Sequence, residues 1–221
     1  MRRDTVAALF DLPVEARRRL AAEDPAQVVR RIYEGTNGFG RRGRGPNGRT
    51  LRDTTSLVYG EITPAGVTQL IDAVRLSAAD TFIDLGSGVG KVVLQAAMMV
   101  PGARCTGVEI DGERHTNATL ALLLAELLEL VGTGQCGLRH DSILSTDLTG
   151  ATVLFANSTC FSELLLYRLA RRIVRLNHPV TFASFRALRP NRPRRLRLID
   201  TRPCETSWRA EVALYVYRFE P

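Results

Sequence analysis

Residues 81–97 read TFIDLGSGVGKVVLQAA. An apolar run climbs to Asp84, glycines follow at positions 86, 88 and 90, and a second apolar run begins at Val92. The first run, rich in β-branched and aromatic residues and closed by glycines, predicts a strand over about 81–85. The second predicts a helix over about 90–100. Gly86, Gly88 and Gly90 make a turn whose backbone can take left-handed angles and lie close to a ligand. A strand that enters a helix through such a turn opens a doubly wound α/β sheet.

The flanking sequence agrees. Thr63-Pro64 is a cap followed by proline at the first helical position, and the helix it starts reaches about Leu76. After the glycine turn, strands are expected at about 104–110, 136–140, 152–156 and 179–185, with helices at 112–131 and 162–176. Two strand-like runs, 195–201 and 211–219, end the chain close together and suit an antiparallel ending. Strands alternating with helices argue a parallel sheet covered on both faces. The fold class is therefore α/β, a doubly wound, mostly parallel seven-strand sheet with a small helical N-terminal part. Residues 12–33 read as helix broken near Glu23-Asp24-Pro25, and 35–52, GTNGFGRRGRGPNGRTLR, as a long mobile loop. This divides the chain into 1–57, a helical segment with a Gly/Arg-rich loop, and 58–221, the α/β domain.

The totals set bounds. A chain of 221 residues, 45% apolar, suffices for one full core. No apolar run reaches the roughly 18 residues of a membrane span. No secretory signal is expected from MRRDTVAALFDLP, which Asp4 and Asp11 interrupt. Cys105, Cys136, Cys160 and Cys204 form no CxxC pair and have no histidine at ligand spacing, so no metal site is expected and reduced thiols are. The net charge is +7, and Lys91 is the only lysine. A GC-rich genome explains an arginine surplus; the resulting surface still favours a polyanionic or acidic partner.

The glycine turn has two ligand classes to choose from. Dinucleotides favour G-x-G-x-x-G, whose third glycine would fall at Lys91. The spacing here is D-x-G-x-G-x-G, which suits S-adenosylmethionine. That cofactor has no phosphate; its methionine end packs on glycine backbone, and Asp84 can offset its ammonium. Glu109, closing the next strand in CTGVEI 19 residues beyond Gly90, can accept from both ribose hydroxyls. Asp141, after the third strand in LRHDSI, falls near the adenine.

With VYGEITPAG, DLGSGVGKVVLQAA, GVEI, the Asp141 segment, VLFANSTCF, and SW with a tyrosine seven residues on, the chain from Val58 to Phe219 resembles the disruptor-of-telomeric-silencing family. These are histone-lysine methyltransferases without a SET domain. The resemblance implies a histone-lysine N-methyltransferase using S-adenosyl-L-methionine. Glu61 in YGE would help hold the methionine end of the cofactor, and Tyr59 and Lys91, the latter where an amide residue is common, would also belong to the cofactor site. Asp84, Gly86 and Gly88 would form the cofactor turn and Glu109 would bind ribose. Asp141 and Ser142 would flank the adenine, although the family often has an aromatic at the latter. Asn157 would lie near the reacting methyl group, and Phe161, Trp208 and Tyr215 would shape a channel for the substrate lysine. Asn157-Ser158-Thr159-Cys160-Phe161 replaces a segment that usually reads Asn-Asn-Phe-Ala-Phe, and Ile62 stands where a threonine is usual; both bear on channel width.

The chemistry is consistent. A lysine ammonium, with a pKa near 10.4, must lose a proton before it attacks, at about 4–5 kcal/mol at pH 7. An aromatic channel favours the neutral amine by desolvation, and alignment of amine, methyl and sulfur supplies several kcal/mol more. No strong general base is required; Asn157 and Tyr215 read as the catalytic positioning groups.

The resemblance implies a core histone or nucleosome as partner and the nucleus as location, or the cytoplasm or a host if the source is bacterial; no membrane partner and a monomer are expected. Two arginine clusters, Arg41, Arg42, Arg44, Arg49 and Arg52 in the glycine-rich loop and Arg186, Arg189, Arg192, Arg194, Arg195 and Arg197 in ALRPNRPRRLRL, suit nucleosomal DNA or an acidic histone surface, with solvated charge as the plain alternative. Competing readings are a methyltransferase for other proteins, nucleic acid or small molecules, and a non-catalytic basic chromatin module. Base amino-methyltransferases place prolines after the fourth strand, and NSTCF has none.

Overall fold

The computed structural model describes residues 9, 11–34, 60–189 and 193–221. The expected 35–52 loop, Tyr59, Arg41, Arg42, Arg44, Arg49, Arg52 and Arg192 lie outside the described residues.

Helices α1 (Val14–Ala21) and α2 (Pro25–Ile32) come first; Asp24 caps α2 by accepting from the Ala26 amide. Helix α3 (Pro64–Val74) is capped by Thr63, whose hydroxyl accepts from the Gly66 amide. There follow β1 (Thr81–Leu85), α4 (Lys91–Met99), β2 (Arg104–Glu109), α5 (Gly112–Leu127), β3 (Cys136–His140), β4 (Val153–Ala156), a 3₁₀ turn at Ser158–Cys160, α6 (Glu163–Ile173), β5 (Val180–Ser184), β6 (Leu196–Thr206) and β7 (Arg209–Phe219). Each long helix starts at a side-chain acceptor: Asp111 takes the Glu113 and Arg114 amides, and Ser162 takes that of Leu165.

The seven strands lie in the order β3-β2-β1-β4-β5-β7-β6. β1 to β5 are parallel, and β7 runs antiparallel to both β5 and β6. The order reverses between β1 and β4, and an open α/β sheet binds its ligand at that switch point. The apolar core divides between the two faces of the sheet. One part holds Phe82, Phe155, Phe185 and the inner residues of α2 to α5; the other holds Ile83, Leu85, Phe182, Tyr217 and the inner residues of α6. No helix among the described residues is long and apolar enough to cross a membrane. All four cysteines are free, and burial pushes Cys105, Cys136 and Cys204 up to about 12.

The two closing strands and helix α5 depart from the sequence expectation. The closing strands extend to Leu196–Thr206 and Arg209–Phe219, leaving Ser207 and Trp208 as the turn. Pro203 and the charges of β6 hide the strand, and β6 tolerates them because it is an edge. Helix α5 ends at Leu127 rather than 131: Glu129 turns left-handed at φ 58° and the Leu130 amide returns to the Ala125 carbonyl at 2.9 Å. A run as apolar as LALLLAELLELV carries no stop signal at that point.

The hairpin of β6 and β7 holds the segment before α3. The Ser207 amide donates to the Glu61 carbonyl (2.9 Å), the Thr63 amide to the Glu205 carbonyl (3.3 Å), and Ile62 bridges to Thr206. Gly66 packs so closely on β6 that a Cβ there would lie 2.1 Å from the Glu205 carbonyl oxygen.

Candidate functional site

The glycine turn leaves the carboxyl end of β1 at the switch point. Gly86, Gly88 and Gly90 all take positive φ, at 92°, 57° and 86°. A side chain at any of them is strained, which is why the sequence spends three glycines here. The Gly86 and Ser87 amides both donate to the Val108 carbonyl, tying the turn to β2 (2.8 and 3.0 Å). Beneath the turn, the Tyr33 hydroxyl at the end of α2 donates to the Val89 carbonyl at 2.7 Å.

Two acids meet at the turn. Asp84, 2% exposed, has its Oδ1 without a hydrogen-bond partner among the described residues. Burial, then the neighbouring Glu109 charge, push its carboxyl up to about 8. Glu109, 5% exposed, has both oxygens engaged: Oε2 accepts from the Gly88 amide and Oε1 from the Asp111 amide, each at 2.8 Å. Burial raises its pKa, while those amides and the buried Arg114 guanidinium oppose the rise. A buried carboxylate oxygen with no donor is costly unless a cation or donor completes it.

A third acid faces the turn from the other side. Glu61 pairs in bidentate fashion with Lys91, Nζ lying 2.7 and 2.6 Å from its two oxygens. The same ammonium sits 5.4 Å over the Tyr33 ring. A cavity opens between these groups, lined by Gly60, Glu61, Ile62, Asp84, Gly86, Ser87, Lys91, Val92, Phe155 and Asn157. On the far side of the Glu61–Lys91 pair a second cavity of about 230 Å³ is lined by Val29, Tyr33, Ile62, Pro64 and Gln95 among others.

The rim comes from the fourth strand and the hairpin. Asn157 Nδ2 donates to the Gly60 carbonyl at 2.6 Å, and its Oδ1 accepts from Thr159 at 3.1 Å. Phe161 seats its ring on the turn, 3.2 Å from where a Gly86 Cβ would be. Arg186 donates to the Phe161 carbonyl, and its amide donates to Ser158 Oγ at 3.0 Å. Trp208 covers Gly60 so tightly that a Cβ there would lie 2.7 Å from the indole, and it meets Phe185 edge-on at 6.3 Å.

Of the residues proposed from the sequence, Glu61, Asp84, Gly86, Lys91 and Asn157 share the first cavity, with Phe161 against it. Gly88 and Glu109 join it through their hydrogen bond. Asp141 connects through its amide, which donates to the Glu109 carbonyl at 3.1 Å; its own carboxylate accepts from the Ser142 amide and the Ser145 hydroxyl, both at 2.7 Å. Tyr215 is placed apart from Trp208. It packs with the α6 side of the core, opposite Ser184 and Thr201 in the sheet, whereas Trp208 meets Phe185, in the other part of the core, edge-on. Arg194 and Arg195 are exposed, and Arg195 covers Phe219 at 5.3 Å.

The structure adds groups that the sequence reading passed over. Ser87 Oγ is buried without a partner among the described residues, and Gly107 makes room for it. Tyr33, Phe155 and Arg114 also belong here. Gly107 in CTGVEI was a visible signal, a glycine inside a strand marking close approach; the others carried none.

The profile described as Histone methylation protein DOT1 matches residues 47–206. The chain is 30% identical over 140 residues to the H3 lysine-79 specific histone-lysine N-methyltransferase of Drosophila melanogaster, covering 60% of this chain and 8% of that protein. It is 29% identical over 161 residues to the Yarrowia lipolytica protein of the same name, covering 66% and 32%. The chain thus spans under a third of the length of these relatives. An RNA methyltransferase from Salinibacter ruber, solved with S-adenosyl-L-homocysteine, shares the fold with TM-score 0.50 and 23% identity over 69% of this chain and 88% of that one. The matched span runs from ahead of the YGE segment to the end of β6, through every acid and glycine of the turn, and the chain belongs to the DOT1 histone methylation family.

Proposed function

We propose that this chain transfers a methyl group from S-adenosyl-L-methionine to a lysine of a core histone, histone H3 by the names of its relatives, within a nucleosome. The observation that carries the reading is the buried, unpartnered Asp84 Oδ1 beside three left-handed glycines. That site wants a cation pressed against bare backbone, and the α-ammonium of this cofactor supplies one. Glu61 and Lys91 offer an anion and a cation to the same zwitterionic end, Glu109 stands ready for the ribose hydroxyls, and Asp141 and Ser142 stand at the adenine side. When bound, the cofactor supplies an electrophilic methyl on sulfonium.

The chain's own part is desolvation and alignment. Phe161 and Trp208 crowd the approach with aromatic faces, which disfavour the charged amine and can stabilise a methylated ammonium by about 0.5–2 kcal/mol. Asn157, fixed by the Gly60 carbonyl and Thr159, holds the rim in place. Tyr215 is assigned to the channel on the family pattern. Thr159, where the family usually has an aromatic, bears on the width of the channel. The lysine leaves its proton to solvent before attack.

Exposed Arg194 and Arg195, and the arginines at 41, 42, 44 and 192, are assigned to nucleosomal DNA or an acidic histone surface. The family points to a nuclear chromatin protein, and a monomer is part of the proposal. The test is transfer of labelled methyl to whole nucleosomes, free core histones and RNA, with a Gly88→Arg control that fills the turn. Label on histone lysine that the control abolishes supports the proposal. Cofactor binding with no label on any histone substrate overturns the histone assignment.

A further inference from the structure

Helix α5 carries an apolar stripe on its outer face. Leu120, Leu123 and Leu127 are 47%, 57% and 41% exposed, while Ala118, Ala121, Leu124, Ala125 and Leu128 fill the inner face. The exposed leucines are spaced three and four apart, and Leu127 closes the helix. That alternation is the seam into which a second helix sets its side chains. Ordinary surface helices place polar residues on such a face.

Charge marks the same surface. From His115 to Leu138 there is no lysine or arginine, in a chain with 30 basic residues. The charged side chains beside the stripe are Glu113, Glu126 and Glu129, of which Glu113 and Glu129 are exposed. The helix lies on β3, the sheet edge remote from the β6–β7 hairpin. Three half-exposed leucines fall well short of the roughly 800 Å² per partner that two folded chains bury in a stable interface. They suit a single amphipathic helix laid along α5.

We propose that α5 is a docking face for an amphipathic helix of another protein, with leucine-like residues at three-four spacing and lysine or arginine on its flanks. Its acidic borders select a basic helix and reject an acidic one. The face is separate from the glycine turn, so this proposal stands or falls independently of the methyl-transfer reading.

The test uses two synthetic helical peptides of about three heptads, identical in their leucine seam, one with arginine and one with glutamate on the flanks. Binding to the full chain is read by fluorescence anisotropy. The arginine-flanked peptide is expected to bind at least tenfold more tightly. Leu123→Gln with Leu127→Gln removes the binding, and Glu126→Lys with Glu129→Lys reverses the preference; circular dichroism checks that both variants fold. Equal affinity for the two peptides, no saturation below about 1 mM, or binding that survives the leucine substitutions overturns the proposal. Light scattering that shows a dimer dissociated by the leucine substitutions overturns it in favour of a second copy.

Discussion

The Gly88 amide donates to Glu109 Oε2 at 2.8 Å, so the middle glycine of the turn and the acid that closes β2 hold each other in place. The other carboxylate oxygen takes the Asp111 amide. Glu109→Gln replaces one oxygen with an NH₂ that faces an amide donor. Two donors then compete for a buried place, a loss of about 1–3 kcal/mol. Calorimetry with S-adenosylhomocysteine is expected to show affinity reduced about 10- to 100-fold, and the melting temperature falls as well. Unchanged affinity would remove Glu109 from the site.

Asp84 makes the turn sensitive to pH. Its carboxyl is pushed up to about 8 from 3.8, by burial first and by Glu109 second. Between those values the folded chain holds a proton that the unfolded chain has released, so stability falls as pH rises from about 4 toward 8. Glu109, raised in the same direction by burial, adds to this slope. A cation set against Asp84 draws the proton off. Cofactor binding at pH 7 is therefore expected to release close to one proton, read from calorimetry in buffers of different ionisation enthalpy, and Asp84→Asn is expected to abolish that release. Proton uptake on binding would contradict the assignment.

Much of this was legible in the sequence because chemistry was written into spacing. D-x-G-x-G-x-G and Glu109 after the next strand gave the sheet, the turn and two of its acids; Asp141 meets them only through its amide, which donates to the Glu109 carbonyl. What escaped was set by tertiary packing. Tyr33 reaches Val89 across 56 residues, and Arg114 looks in sequence like any charge in a first helical turn. The family pattern makes Trp208 a channel aromatic, but only the two-residue turn between β6 and β7 shows that its ring lies on Gly60 while Tyr215 faces the other half of the core. The stop of α5 is set by a left-handed glutamate that no propensity signals.

Gly66 is a structural glycine with normal φ. Its role is to let α3 rest on the β6 backbone, where a Cβ would lie 2.1 Å from the Glu205 carbonyl oxygen and 2.7 Å from Ile62 Cγ1. Backbone cannot step aside as a flexible side chain can. Gly66→Ala is expected to destabilise the fold by about 1–3 kcal/mol in denaturant melts, even though alanine is the better helix former. It would also disturb Glu61, which the same hairpin holds through Ser207. A neutral or stabilised variant would show that α3 can slide on the hairpin.

Trp208 is the only tryptophan, so its fluorescence reports one place: the stack on Gly60, whose carbonyl accepts from Asn157. A Cβ at residue 60 would meet the indole at 2.7 Å, but the ring is 41% exposed and free to swing outward. Gly60→Ala is therefore expected to shift emission to longer wavelength while costing little stability, about 1 kcal/mol or less. Methyl transfer should fall more steeply, by about 100-fold, since the rim that aligns the amine moves with the ring. Asn157→Ala frees the Gly60 carbonyl without touching the indole, and should lower transfer with a smaller change in emission. If Gly60→Ala moves the emission and leaves transfer at its original rate, the Trp208 stack is packing on the hairpin turn and the substrate lysine enters elsewhere.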